Sequence, residues 1–125
     1  MKLLLDTHVV LWWLDDDKRL SEAARDEIIL AEDVRVSAAT VWEIAMKRAL
    51  GRLEVPEDYL EHVERTRFRP LAISFQHAEA AGRLPRHHDD PFDRMLVAQA
   101  YAERLTLVTA DRQLGDYGVP VLAAV

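Results

Sequence analysis

Short apolar runs alternate along the chain with longer segments in which hydrophobic residues recur at helical spacing. The apolar or β-branched runs predict strands at 2–5, 34–37, 70–73, 105–109 and 119–122. The segments between them predict helices over 21–31, 39–50, 56–67, 75–83 and 90–104. Ser21 and Asp90 are residue types that commonly cap a helix, and Gly51 is a typical helix stop. This alternation predicts an α/β fold in which helices cover both faces of a mainly parallel sheet.

Four acidic residues fall where such a fold brings the ends of its strands together. Ligands bind beyond the carboxyl ends of the strands in a parallel α/β sheet. Asp6 directly follows the first predicted strand, and Asp111 follows the strand at 105–109. Glu43 lies early in the helix after the second strand, and Asp93 lies in the first turn of a helix that leads into a strand. Right-handed α/β winding therefore predicts that all four acids share one edge of the sheet.

Each of these acids also has an ordinary structural explanation. Asp6 and Asp111 are residue types that cap the N-terminus of a following helix. Glu43 precedes Lys47 by four residues, and a surface ion pair at that spacing is worth about 0.3–0.5 kcal/mol. Asp93 favours the positive end of its helix. However, Asp93 shares a helical face with apolar residues, and Glu43 lies in the otherwise apolar segment V-W-E-I-A-M. A buried acid needs a partner.

Clustered acids at a partly buried edge are compatible with one another when a cation lies between them. Like charges raise one another's pKa, so that some of the carboxyls stay protonated unless a positive ion is present. Carboxylate oxygens are the ligands that hard divalent ions prefer. We therefore predict a site for Mg²⁺, with Mn²⁺ as the alternative, whose candidate ligands and catalytic residues are Asp6, Glu43, Asp93 and Asp111.

The composition of the chain limits which functions the protein can have and in which compartment we expect it. The 125 residues are enough for one domain with its own core. A net charge of −6 excludes a general nucleic-acid coat, which needs a basic surface. The chain has no cysteine, which excludes disulfides and thiolate metal sites. No apolar run is long enough for a membrane helix or for a signal peptide, so we expect a cytoplasmic protein with no membrane partner.

Four sequence blocks, in order, carry a resemblance to a known family. They are M-K-L-L-L-D-T-H-V-V-L-W-W-L, V-S-A-A-T-V-W-E-I-A-M-K, H-H-D-D-P-F-D-R-M-L-V-A-Q-A and L-T-L-V-T-A-D. Together they resemble the PIN domain, and more narrowly the VapC-type toxins of type II toxin–antitoxin modules. The resemblance covers essentially the whole chain. It implies a single PIN domain over 1–125, with a three-layer α/β fold of about five mainly parallel strands flanked by helices.

The resemblance also implies an activity and partners. It implies a Mg²⁺- or Mn²⁺-dependent endoribonuclease, in which metal-activated water hydrolyses an RNA phosphodiester, and a cognate antitoxin protein that holds the enzyme inactive. The acidic residues of the family map onto Asp6, Glu43, Asp93 and Asp111, with Thr109 as a lesser candidate. The resemblance implies that the protein forms homodimers. It also implies that operator DNA is bound only through the toxin–antitoxin complex. The alternative is a catalytically inactive PIN-like module that binds RNA or protein.

Other enzyme classes fit the sequence less well. A phosphatase with an aspartyl nucleophile usually has a second Asp two residues after the first, where this chain has His8. The four glycines form no phosphate-cradling loop of the kind found in nucleotide-binding proteins.

Several basic and aromatic residues lie beside these motifs. Adjacent residues seldom converge on one ion, so we interpret the run His87–Asp90 as a solvated loop rather than a transition-metal site. We hypothesise that the basic residues near Asp93 contact substrate phosphate, and these are Arg83, Arg86, His87, His88 and Arg94. Trp12 and Trp13 cannot both face inward on one helix. One is therefore a candidate for a dimer or antitoxin contact, and the alternative is two partly buried aromatic residues.

Overall fold

A five-stranded parallel sheet is the central layer of the computed structural model, which describes residues 1–125. The strands are β1 (Lys2–Leu5), β2 (Asp33–Ser37), β3 (Arg69–Leu71), β4 (Thr106–Thr109) and β5 (Val121–Ala123). Their order is β3-β2-β1-β4-β5, and every neighbouring pair is parallel. The carboxyl ends of all strands consequently lie at one edge, and the segments that follow the strands begin there.

Six α-helices and one 3₁₀ helix connect the strands. They are α1 (Thr7–Leu14), α2 (Glu22–Leu30), α3 (Ala38–Ala49), α4 (Tyr59–Arg65), α5 (Phe75–Arg83), α6 (Pro91–Glu103) and the 3₁₀ helix Arg112–Tyr117. Ser21, Ser37 and Ser74 each accept a hydrogen bond from a backbone N–H in the first turn of the helix that they precede. None of the helices combines the length and the apolar character that a membrane crossing requires.

Two apolar clusters, one on each face of the sheet, form the core. Leu3 and Leu5 belong to the cluster that includes residues of α1, α2 and α4, whereas Leu4 belongs to the cluster that includes residues of α6. Successive side chains of a strand point to opposite faces, so the three consecutive leucines of β1 pack alternately into the two clusters. All three are fully buried. The central strand is thus apolar throughout because helices cover it on both sides.

The predicted α/β fold is confirmed. Two elements, α1 and the 3₁₀ helix Arg112–Tyr117, were not among the predicted segments, and the other differences lie at the ends of elements. The helix predicted from Pro56 begins at Tyr59, because the chain first makes a turn in which the Tyr59 N–H donates to the Pro56 carbonyl. The last strand, predicted at 119–122, is Val121–Ala123. Pro120 has no N–H to donate to the sheet, although its carbonyl accepts from Leu107.

Candidate metal centre

The four acids named above line one cleft of about 350 Å³. Asp6 follows β1, Glu43 lies in the second turn of α3, Asp93 lies in the first turn of α6, and Asp111 precedes the 3₁₀ helix. The cleft lies at the carboxyl edge of the sheet, where the topology gathers these segments. The other residues that line it are Thr7, His8, Trp12, Lys47, Asp90 and Ala110.

Asp6 is buried, and both of its carboxylate oxygens accept hydrogen bonds. Oδ1 accepts from the Val9 N–H at 2.9 Å and thereby caps α1. Oδ2 accepts from the Thr109 hydroxyl, which itself accepts from the Asp111 N–H. Burial raises the pKa of Asp6 above its ordinary value, and the hydrogen bonds from Thr109 and Val9 offset this only in part. Asp6 is therefore both a helix cap and a component of the acidic cleft.

Glu43 is buried together with Thr7, whereas its second partner, Lys47, is only partly buried. Thr7 Oγ1 donates to Glu43 Oε1 at 2.6 Å, and Lys47 Nζ lies 2.6 Å from Oε2. The Glu43 side chain is only 5% exposed. The spacing of Glu43 and Lys47 suggests a surface pair, but here the pair lies in the wall of the cleft. Lys47 therefore places one positive charge among the acids.

Asp93 is held less tightly than Asp6 or Glu43. The imidazole of His88 is its neighbour, and His88 Nε2 is 3.6 Å from Asp93 Oδ2, which is longer than an ordinary hydrogen bond. Burial raises the pKa of Asp93 to about 7, and the negative charges of Asp90 and Asp6 add to the rise. Near neutral pH this carboxyl therefore favours either a proton or a neighbouring cation.

Asp111 is the most exposed of the four acids, with 38% of its side chain accessible to solvent. Its Oδ1 accepts from the Gln113 N–H at 3.0 Å and caps the 3₁₀ helix. Its Oδ2 lies 3.0 Å from His88 Nε2. The interpretation of His88 as part of a solvated loop was wrong, because this imidazole is directed at two of the acids. The only signal in the sequence is its position shortly before Asp93.

Arg94 does not fit the hypothesis that the basic residues near Asp93 contact substrate phosphate. Its guanidinium donates to four backbone carbonyls, those of Ala81, Leu84, Pro85 and His88. Arg83 pairs with Glu79 on the surface of α5. Arg86 lines a neighbouring groove of about 370 Å³, which leaves it a candidate for a phosphate contact.

Trp12 and Trp13 are both partly buried, as in the second of the two interpretations. Trp13 packs against Phe68, with ring centroids 5.4 Å apart. Trp12 lies beside His8 and under the guanidinium of Arg19, where it forms part of the cleft wall.

The donor set of the cleft fits a hard divalent cation. Its acids offer carboxylate oxygens. Burial, with a contribution from neighbouring acids, raises the pKa of Asp6 and of Asp93, and a cation between them would favour their charged forms. Mg²⁺ and Mn²⁺ bind such oxygens. His88, Asp93 and Asp111 bring candidate ligand atoms within 4.8 Å of one another. The carboxylates of Asp93 and Asp111 thus lie close enough to share one ion.

Known proteins resemble this chain over nearly its whole length. Residues 3–120 match the family model of the PIN domain. Ribonuclease VapC22 of Mycobacterium tuberculosis is 32% identical over 121 residues, which make up 94% of this chain and 93% of that protein.

Two solved structures share the fold. The DNA-bound VapBC of Salmonella typhimurium has a TM-score of 0.74 at 20% identity, with 100% of this chain and 99% of that chain covered. VapBC2 of Rickettsia felis, bound to a DNA fragment from its promoter, has a TM-score of 0.74 at 15% identity, with 98% of each chain covered. At these identities the likeness is evidence for the fold.

Proposed function

This chain belongs to the PIN domain family, and on that premise we propose that it is a metal-dependent endoribonuclease, the toxin of a toxin–antitoxin pair. The observation that carries the proposal is the single cleft lined by four acids from four separate segments. Similarity to a protein named as a ribonuclease supports RNA as the substrate. The likeness to two VapBC structures supports a cognate antitoxin as the partner.

The remaining features of the proposal concern the cofactor and the assembly. We propose Mg²⁺ as the cofactor, with Mn²⁺ as the alternative, because the site offers carboxylate oxygens. We further propose that residues 1–125 form one PIN domain, which acts in the cytoplasm as a homodimer. Operator DNA is bound only through the complex with the antitoxin.

Three aspartates are assigned to the cation. Asp6, Asp93 and Asp111 would hold it through carboxylate oxygens that face the cleft. A divalent cation there supplies Lewis-acid chemistry, which activates water and neutralises charge that develops on the phosphate. Thr109 supports two of these residues, because its hydroxyl donates to Asp6 and accepts from the backbone of Asp111. Hydrogen bonds to ligating carboxylates keep them oriented.

Glu43 is assigned to the attacking water. Both of its oxygens already accept hydrogen bonds, from Thr7 and Lys47, and this fixes the carboxylate within the wall of the cleft. A carboxylate oxygen retains a second lone pair, which would accept a hydrogen bond from the attacking water and so orient it. The ammonium of Lys47 lies close enough to offset part of the negative charge that substrate phosphate adds.

The test is cleavage of a mixed structured RNA by the purified chain without its partner. Reactions contain Mg²⁺ or Mn²⁺, or a chelator, and compare wild type with Asp93→Asn. The matched control is Asp26→Asn, which removes an exposed carboxylate of α2 far from the cleft. We expect discrete products that require the metal, and a rate for Asp93→Asn that is lower by about 100-fold or more, since metal ions supply several kcal/mol of transition-state stabilisation.

Three outcomes would contradict this proposal. Cleavage that persists in chelator, or that is as fast in Asp93→Asn as in Asp26→Asn, would remove the metal site from the mechanism. A folded protein that binds Mn²⁺ and RNA without cleaving any RNA would favour the inactive binding module.

A further inference from the structure

His88 is the one residue that contacts the acidic cleft through an imidazole directed at two carboxylates. Its Nε2 lies 3.0 Å from Asp111 Oδ2 and 3.6 Å from Asp93 Oδ2. Its side chain is 20% exposed and therefore mostly enclosed by the protein. Neither the cation site formed by the three aspartates nor the assigned role of Glu43 requires an imidazole at this position. Its contacts indicate what it does there.

The hydrogen bonds of the ring determine which nitrogen carries the proton. The backbone N–H of Asp90 donates to His88 Nδ1 at 3.1 Å. Because an N–H group can only donate, Nδ1 is the acceptor, and the neutral ring carries its hydrogen on Nε2. The Nε2–H group is therefore a donor to Asp111. Metal ligation by Nε2 would need this proton to move to Nδ1, where it would face the N–H of Asp90.

The loop that carries His88 is fixed from two sides. Arg94 of α6 donates to the carbonyl of His88 at 3.3 Å and to three earlier carbonyls of the same region. The Tyr117 hydroxyl donates to the same His88 carbonyl at 3.3 Å. The imidazole is thus anchored through its own backbone and through Nδ1. A side chain held in this way can impose a direction on the group to which it donates.

Asp111 is the acid for which such a direction matters most. It is the most exposed of the four acids, and within the protein its Oδ1 is fixed by the cap to Gln113. His88 supplies the contact that fixes Oδ2. We propose that His88 is a positioning residue, whose Nε2–H orients the Asp111 carboxylate for a divalent cation without itself binding the cation. The inference rests on the metal site proposed above and adds a residue to it.

The experiment measures the affinity for Mn²⁺ by calorimetry in wild type and three variants. His88→Ala removes the donor, whereas His88→Gln keeps an amide N–H at a similar reach. His87→Ala is the matched control, because His87 is the neighbouring imidazole, packs against Tyr117 of the 3₁₀ helix and, unlike His88, forms no hydrogen bond or ion pair with the four acids. We expect Mn²⁺ affinity to fall about tenfold in His88→Ala, which is the lower end for loss of a group that orients a metal ligand. His88→Gln should recover most of it, and His87→Ala should match wild type.

A second measurement needs neither metal nor activity. Nitrogen-15 chemical shifts of the His88 ring in the metal-free wild type should show a protonated Nε2 and an unprotonated Nδ1. An unprotonated Nε2, or unchanged Mn²⁺ affinity in His88→Ala, would overturn the inference. So would a loss in His88→Ala that is larger for Zn²⁺ than for Mn²⁺ and is not recovered in His88→Gln, since this would identify a nitrogen ligand.

The two proposals fail in different ways. A wild type that binds no Mn²⁺ would overturn the proposed metal site. The ring shifts of the metal-free protein would still decide whether His88 donates to Asp111. Mn²⁺ binding in wild type that is insensitive to His88→Ala would overturn only the inference about His88.

Discussion

The protonation of Asp93 should be visible in the stability of the metal-free protein. Burial and the charges of Asp90 and Asp6 raise its pKa to about 7 in the folded state, from an ordinary value of 3.8. Between these values the folded protein binds a proton that the unfolded chain does not bind. This proton stabilises the folded state, and its contribution is complete below about pH 4. As the pH rises through 7 the contribution is lost, and the free energy of unfolding falls by up to about 4 kcal/mol.

Unfolding by urea in chelator, at pH 5 and at pH 8, tests this dependence. We expect the wild type to have a lower free energy of unfolding at pH 8, and the loss to be smaller in Asp93→Asn because its amide does not titrate. Asp26→Asn should retain the loss seen in wild type. A wild type that becomes more stable between pH 5 and pH 8 would be evidence against the raised pKa.

Thr109 links two of the acids, and we therefore expect its hydroxyl to contribute more to the stability of the fold than the size of its side chain does. The residue is 1% exposed, and the hydroxyl donates to Asp6 and accepts from the Asp111 N–H. Thr109→Val keeps the shape but leaves a buried carboxylate without that donor, at a cost of about 1–3 kcal/mol. Thr109→Ser keeps the hydroxyl and should lose less. Urea unfolding of the three proteins decides this, and equal stability of Thr109→Val and wild type would refute the role of the hydroxyl.

The neighbourhood of the acids could be predicted from sequence, whereas the position of His88 could not. Asp6 directly follows β1, and Asp111 is the second residue after β4, so the parallel topology alone determines at which edge they lie. The direction of the His88 ring depends instead on bonds made by Arg94 and Tyr117 to its loop. Such contacts arise only in the folded chain, and no local pattern in the sequence encodes them.

The segment between α5 and α6 depends on Arg94 for its conformation. This side chain donates to the carbonyls of Leu84, Pro85 and His88 in that segment, and to the carbonyl of Ala81 near the end of α5. We expect Arg94→Ala to lower the free energy of unfolding by about 2–3 kcal/mol, because hydrogen bonds to charged groups contribute about 1.5–3 kcal/mol each and part of this group is exposed. Arg94→Lys should recover little, since an ammonium cannot reproduce the fork of the guanidinium.

Urea unfolding and hydrogen exchange of the amides at 84–90 measure the effect of Arg94. The control is Arg83→Ala, which breaks an exposed pair with Glu79 and should change stability by less than about 0.5 kcal/mol. Faster exchange confined to 84–90 in Arg94→Ala is the expected pattern. Exchange at wild-type rates would show that the loop is held by other contacts.

Helices and strands were predictable to the extent that their own residues determine them. The helix after Asp90 begins at Pro91, as its cap and first-turn proline indicate. By contrast, α1 has no polar face that would mark its limits, since T-H-V-V-L-W-W-L is almost entirely apolar. The ends of β5 depend on pairing with β4, in which Thr109 is opposite Ala123. These limits are set by neighbouring elements and are not encoded locally.

Among the apolar side chains that the molecule leaves exposed, those of Trp42, Ile73 and Phe75 are a candidate for the proposed dimer contact. The side chains of Trp42 and Ile73 line the same groove, and Phe75 lies two residues after Ile73. Trp42 is 60% exposed and Phe75 is 98% exposed. Exposed apolar patches commonly mark contacts between proteins, because burial there removes apolar surface from water.

Phe75→Glu should prevent dimerisation without disturbing the fold. Phe75 is the first residue of α5, so an acid at this position is favourable for the helix, and the side chain has almost no contacts to lose. Light scattering should give twice the mass of one chain for wild type and the mass of one chain for Phe75→Glu. Leu30→Lys is the control, because Leu30 is 79% exposed on α2, a helix of the opposite layer, and should leave the dimer intact. A Phe75→Glu protein that remains dimeric would place the contact elsewhere, and a monomeric wild type would remove the dimer from the proposal.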